Sequence, residues 1–308
     1  MTTNIFSRPA ASEADYWAVY RLLVDTVRPL PLGLNWDVRR WEGRRFYNEN
    51  PTGNPDWAEG VQLWETEQSQ VVGAVIAVHP GWADLQLHPN HHHLVSEMLD
   101  WAEANAAGPT DSGDGSQLHI GAFAYDGGRQ ALLAQRGYEQ MTYGWVIRHL
   151  RFDTCTLAQP NLADGYTLRT TNPENVADSQ RIADLLNAAF GRAFHTAAEY
   201  QWFTRKAPSF RQYLDLVAVA PDGTFAAYVG VPFDDVNQRG IFEPVCTHPD
   251  HQRKGLAKAL MQEALLRLEL MGAVDVTVET GDRIPANALY NSLGFTQTEK
   301  GYYWRKLL

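Results

Sequence analysis

Residues 248–260, HPDHQRKGLAKAL, form the chain's densest grouping of residue types suited to holding a charged ligand. They follow IFEPVCT at 241–247, an apolar run patterned as a strand. They lead into ALMQEALLRLELMG, patterned as a helix that ends near Gly272. A strand that turns through glycine into a helix exposes several backbone N–H groups with no intrahelical partner. The helix dipole adds positive potential at the same point, and phosphate is the natural guest there. Gly255 brings no Cβ to hold the backbone off a ligand, and Ala257 keeps the first helical turn close. Arg253, Lys254 and Lys258 add cationic charge. On these residues alone, an ordinary strand-to-helix turn with solvated cations remains open. The string is neither the G-x-x-x-x-G-K-[ST] phosphate loop nor the G-x-G-x-x-G dinucleotide fingerprint.

A similar phrase, HPNHHHLVSEML at 88–99, lacks glycine, arginine and lysine in its loop. Its histidines carry only partial charge near neutral pH. His88, His91, His92 and His93 have no acidic or cysteine partner placed by spacing, and neighbours on one turn point different ways. A solvated, helix-opening cluster is therefore expected here and no metal site.

The elements around these two phrases repeat. IFSRPAASEADYWAVYRLLVD (5–25) and YTLRTTNPENVADSQRIADLLNAAF (166–190) each read as strand, polar cap, helix. WDVRRWEGRRFYNEN (36–50) and TAAEYQWFTRKAP (196–208) read as second helices whose aromatics are expected to pack inward, with the lining of a pocket beside a cleft as the alternative. VVGAVIAV (71–78) reads as a buried strand, and LVAVAPDGTFAAYVGV (216–231) as a hairpin around Asp222-Gly223. ALLAQRGYEQMTYGWVIR (131–148) aligns without gaps on ALYNSLGFTQTEKGYYWR (288–305). Gly137 meets Gly294, Tyr138 meets Phe295, Gly144 meets Gly301, Arg148 meets Arg305, and Leu133 meets Tyr290. A period of half the chain means two copies of one fold. The weakly patterned, turn-rich stretch around Pro160 to Gly165 separates them, giving a first domain at 1–152, a linker at 153–165 and a second domain at 166–308. Strand and helix alternation predicts an α/β sheet with helices on its faces. AAGPTDSGDGSQ (106–117) reads as a flexible loop.

Composition agrees with two globular domains, with 308 residues and 44% hydrophobic content. The formal charge of −10 argues against a nucleic-acid binder. Two cysteines, Cys155 and Cys246, make no disulfide framework, so a reducing cytoplasm is the expected setting. MTTNIFSRPA shows no basic-then-apolar leader pattern, and no run of 18 apolar residues predicts a membrane span.

The second half resembles the GNAT superfamily of N-acetyltransferases over about 166–308. Two motifs carry the resemblance. One is [RQ]-x-x-G-x-[GA], here Gln252-Arg253-Lys254-Gly255-Leu256-Ala257, with Pro249 before it. The other is A-x-x-L-Y-x-x-x-G-F, here Ala286, Leu289, Tyr290, Gly294 and Phe295. The resemblance implies two tandem GNAT-like domains, each a mixed central sheet with helices on both faces and splayed central strands. It implies that main-chain N–H groups of about Arg253 to Lys258 hold the pyrophosphate of acetyl-CoA. Val245, Cys246 and Thr247 would pair with the pantetheine amides. Tyr290 would protonate the departing thiolate, and a strand N–H near Val245 would hold the oxyanion. Glu243 is the candidate base, directly or through water, since alternation puts it on the side of Val245 unless Pro244 disturbs the strand. Glu279 is the second candidate. The family often has Asn seven residues before its tyrosine. Arg283 stands there, so Asn287, on the helix face of Tyr290, is the substitute, or Arg283 contacts a CoA phosphate. Cys246 is expected to be a buried strand cysteine and no nucleophile.

The resemblance thus implies an enzyme that moves acetyl from acetyl-CoA, with no metal, to a primary amine of a small molecule or a peptide. A non-catalytic acyl-CoA sensor or interaction module is the alternative. The first half, with Leu133 in place of the tyrosine and no glycine loop, is expected to keep the fold without the chemistry. It would shape the acceptor cleft or a homodimer surface. Two-domain family members that acylate a small thiol-sugar amine share this layout.

Overall fold

The computed structural model describes residues 4–110, 112–281 and 284–308. The first half runs β1 (Ile5–Pro9), α1 (Glu13–Thr26), α2 (Val38–Phe46), β2 (Val61–Thr66), β3 (Val71–His79), β4 (Trp82–Leu87), α3 (Val95–Asn105), β5 (Gly108–Pro109), β6 (Ser116–Phe123), α4 (Gly127–Gln135) and β7 (Glu139–Arg151). The second half runs β8 (Thr167–Thr170), α5 (Val176–Phe190), α6 (Ala197–Lys206), β9 (Asp215–Val219), β10 (Phe225–Gly230), β11 (Phe233–Asp234), β12 (Arg239–Ile241), β13 (Val245–Thr247), α7 (Leu256–Leu270), β14 (Asp275–Thr280), α8 (Ile284–Ser292) and β15 (Gln297–Leu307).

Local chemistry sets the helix starts. Ser12 and Asp15 form a capping box at α1, and Thr196 and Glu199 form one at α6. Asn175 caps α5, which ends on Gly191 in the left-handed region, and Asp37 caps α2. Tyr16, Val19, Leu22 and Leu23 share the buried face of α1 with Trp41 of α2. In the second half, Leu256, Leu260, Met261, Ala264 and Leu268 of α7 join strand residues such as Val276 and Val278 in one core.

The two halves follow one another in sequence, but their sheets interlock. One sheet of eleven strands has the order β1-β2-β3-β4-β6-β15-β7-β14-β12-β11, with β5 paired on β6. The last strand of the second half, β15, therefore lies between two strands of the first half. The last strand of the first half, β7, lies between two strands of the second. All three junctions across this exchange are antiparallel. The repeated glycines sit where the exchanged strands meet, since Gly144 pairs with Tyr302 and Gly301 with Trp145. A Cβ on Gly144 would come 2.0 Å from the Gly301 carbonyl oxygen, and one on Gly301 would come 2.3 Å from the Trp145 indole. The other repeated pair, Gly137 and Gly294, ends α4 and α8 with φ of 83° and 95°.

A second sheet, β13-β10-β9-β8, completes the second half. The run IFEPVCT, expected as one strand, is thus divided. Arg239–Ile241 pairs with β14, Val245–Thr247 pairs with β10, and Phe242-Glu243-Pro244 crosses the gap. Proline has no N–H for a ladder, and a strand that changes sheets needs a break of this kind. The first half splays in the corresponding place, because β4 meets β6 only at Trp82 and Ala83. Of the expected flexible loop at 106–117, Gly108–Pro109 instead pairs with Ser116 and Gln117 as a short hairpin. Buried Glu42 of α2 accepts hydrogen bonds from the backbone N–H and the hydroxyl of Ser209, tying the halves together outside the sheet.

Gly144→Ala must push backbone against backbone, so it should lower stability by roughly 1–3 kcal/mol. Gly127→Ala, at a helix start with no described residue within 4 Å, should be neutral or stabilising. Urea midpoints of the two variants check this; equal midpoints would contradict the crossing as a packing constraint.

Candidate functional site

His248 opens the glycine loop in a manner that explains the repeated His-Pro. Its Nδ1 accepts from the Asp250 N–H at 3.3 Å, capping a short turn over Pro249–His251. His88 does the same for the Asn90 N–H at 3.3 Å. The phrase is a capping device common to both halves. The chains then diverge. After His251 the second half passes through Arg253 (φ 63°) and Gly255 (φ 74°) before α7 begins. Among the described residues, no side chain caps α7 and no atom lies within 4 Å of where a Gly255 Cβ would be. Residues 252–255 are exposed. Lys254 Nζ donates to the Tyr166 hydroxyl at 2.9 Å, and that hydroxyl also meets His251 Nδ1 at 2.8 Å. In the first half the turn spans Pro89–Leu94 and runs directly into α3, whose cap Leu94 has right-handed helical dihedrals. The left-handed step that opens the second loop is missing there.

The strand edges differ as well. β13 is an edge strand, so the side of Val245–Thr247 away from β10 faces the gap toward β14. In the first half the corresponding edge is closed by the chain itself. The Asn35 side-chain amide donates to the Leu87 carbonyl at 3.0 Å and accepts from the Leu87 N–H at 2.9 Å. Next to it, the Trp36 N–H donates to Gln86 Oε1 at 2.7 Å. A primary amide that satisfies both groups of one strand residue fills the place an added strand or an amide-bearing ligand would take.

Alternation along β14 sorts the remaining groups by face. Val276 and Val278 enter the α7 core, which also holds Tyr290 and, at its margin, Val245. Tyr290 is 5% exposed, and burial pushes its phenol up to about 12 while Arg148 pulls it the other way. Thr277 and Glu279 face the opposite side, a cleft of about 90 Å3 between the halves. The gap between β13 and β14 joins the two faces.

The cleft is roofed by the first half's segment 30–38 and walled by Trp36, Phe123 and Trp145. Glu279 stands 3.9 Å from Arg40, which also lies 3.8 Å from Asp84. The cleft leaves the Glu279 side chain 43% open to solvent, yet protein encloses it on most sides. Its carboxyl is pushed up to about 7 by burial, with Arg40 opposing and Asp37, Glu243 and Asp84 adding to the rise. Asp37 is pushed up to about 6, by burial and then by Glu243. Glu243, at the strand crossing, lies 3.9 Å from Arg39 and is about half exposed, 48% for the side chain. Glu243 and Glu279 are therefore within electrostatic reach of each other, and Tyr290 lies on the far face of the sheet. Asn287 accepts from Arg148 Nε at 2.7 Å and donates to the Gly281 carbonyl at 3.1 Å. Arg283 lies outside the described residues. Cys246 is buried, and burial pushes its thiol up to about 12, a state unsuited to nucleophilic attack.

Residues 179–295 match the model of the Acetyltransferase (GNAT) family. The second half is a GNAT-family domain. Solved structures extend the likeness of fold to the whole chain. A GCN5-related N-acetyltransferase from Sphaerobacter thermophilus superposes with a TM-score of 0.66 at 20% identity, over 98% of this chain and 95% of that one. A tandem GNAT protein from the clavulanic acid biosynthesis pathway gives a TM-score of 0.66 at 16% identity, over 99% and 98%. A GNAT-family acetyltransferase from Colwellia psychrerythraea gives 0.60 at 14% identity, over 98% and 100%. No curated protein matches the chain. The chain thus has the tandem GNAT fold, and acyl transfer is the chemistry of the matched family.

The first half's contributions to the cleft were not legible as such. Asp37, Arg40 and Asp84 belong to no motif, and Asn35 sits in a turn-like stretch.

The Glu279 carboxyl, raised above its ordinary 4.5, favours the fold fully below that value and loses this contribution as pH rises through about 7. Glu279→Gln should therefore melt close to the parent at pH 4.5 and above it at pH 8. Thermal melts at the two pH values check this. A gap that does not change with pH would show that the carboxylate is not crowded by its neighbours.

Proposed function

We propose that the second half binds acetyl-CoA and transfers the acetyl group to a primary amine. The reading is carried by one contrast: the Asn35 amide closes the strand edge at Leu87, whereas β13 is an edge strand beside a glycine loop and an uncapped α7. The residues present fit the cofactor. The N–H groups from Arg253 to Lys258 offer donors to a pyrophosphate, the absent Cβ of Gly255 leaves room for it, and Arg253 and Lys258 add charge. Gln252 and Leu256 frame the loop, and Val245 and Thr247 present backbone groups to the pantetheine amides, with Cys246 packed behind them. One ligand per chain follows.

The bound thioester supplies an activated acyl group; the protein supplies the proton movements. An acceptor amine loses its proton to Glu243, directly or through water, or to Glu279, whose pKa of about 7 suits a base at neutral pH. The nitrogen attacks the thioester carbon, and a strand N–H near Val245 steadies the oxyanion. As the C–S bond breaks, Tyr290 gives its proton to the sulfur. A phenol held at about 12 stays protonated until the thiolate forms. The acceptor enters from the cleft. Its acidic groups, Asp37, Asp84, Asp234 and Glu279, suit a cationic amine.

A panel of small primary amines and Lys-bearing peptides, assayed for thiol release from acetyl-CoA, tests the reading. Turnover with at least one amine, lowered roughly 100-fold or more in Tyr290→Phe, is expected. Tight acetyl-CoA binding with no turnover on any amine would point to a sensor, and an unimpaired Tyr290→Phe would remove the tyrosine from the mechanism.

A further inference from the structure

Arg148 is repeated in the sequence as Arg305, but the structure employs the two differently. Arg148 lies on β7, between Val278 of β14 and Thr298 of β15, and is 8% exposed. Its Nε donates to Asn287 Oδ1 at 2.7 Å. Its Nη1 donates to Asn291 Oδ1 at 2.7 Å and to the Phe295 carbonyl at 3.0 Å. The guanidinium therefore grips α8 on both sides of Tyr290 and holds the turn that follows it. In the first half, the positions matching Asn287 and Asn291 are Gln130 and Ala134. Gln130 turns to the carbonyls of Phe123 and Ala124, and alanine has nothing to offer an arginine. Where the tyrosine is Leu133, its anchor points have gone too.

We propose that Arg148, carried on the first half's exchanged strand, is the positioning residue for Tyr290. The fork geometry of a guanidinium fits this task, because three hydrogen bonds to two side chains and a carbonyl fix a short helix in rotation and in depth. A phenol must reach the sulfur within hydrogen-bond distance, and α8 has only nine residues to hold it there. The second half's chemistry would thus depend on a side chain that its own sequence does not contain. The inference rests on the reading of Tyr290 as the proton donor.

The test uses the full chain with Arg148→Met and Arg148→Lys. Hydrogen–deuterium exchange should speed up at 286–292 in Arg148→Met by roughly tenfold, with the amides of α7 unchanged. Thiol release from acetyl-CoA, with whichever amine serves the parent, should fall roughly 10- to 100-fold in kcat, with KM for acetyl-CoA within about threefold. Arg148→Lys should recover part of that loss. Unchanged exchange at 286–292 would overturn the proposal. So would a loss shared equally by kcat and acetyl-CoA affinity with faster exchange throughout the chain, since that marks a general structural role. If the parent binds acetyl-CoA but acylates no amine, the transferase reading fails separately, and exchange at 286–292 alone decides the anchoring by Arg148.

Discussion

The exchange of β7 and β15 is the constraint on which the rest of the structure depends. Each half ends in a strand that completes the other half's sheet, and the two strands touch at Gly144 and Gly301. Neither glycine can take a side chain without displacing backbone or an indole. The crossing places β14 directly beside a first-half strand, with Thr277 and Glu279 turned toward the first half's α1–α2 segment. It also carries Arg148 under α8. An arrangement of two sheets joined only by a linker would offer neither contact.

From that frame the division of labour follows. The second half holds the open strand edge, the glycine loop and the buried tyrosine. The first half holds the roof of the cleft, with Asp37, Arg40 and Asp84 set against Glu279. It has closed its own splay with Asn35, using one amide to satisfy the two backbone groups of Leu87. An unpaired strand edge inside a fold is costly, because buried N–H and C=O groups need partners. At Leu87 of the first half Asn35 supplies those partners, and it also anchors the segment that roofs the cleft.

Much of this was legible in the sequence. The helix starts followed from capping residues, the half-chain repeat from the gapless register at 131–148 and 288–305, and the loop from Gly255 beside its cations. The break at Pro244 was foreseen only as a disturbance of a strand. The strand exchange was not legible, because pairing partners are set by tertiary contact, and the same sequence pattern suits β7 beside either half. The role of Arg148 was hidden for the same reason. Its alignment with Arg305 marked only a shared register, and the geometry distinguishes Asn287 and Asn291 from Gln130 and Ala134. The repeated His-Pro carried a different meaning from the ligand loop after it: it caps a turn in both halves, and only the left-handed residues beyond it differ.

The measurement that bears most directly on one working site per chain is a calorimetric titration of the full chain with CoA. One molecule per chain, with binding lost in Gly255→Glu, is the predicted result. Two molecules per chain, or one that still binds Gly255→Glu, would contradict the assignment of the site to the second half's glycine loop.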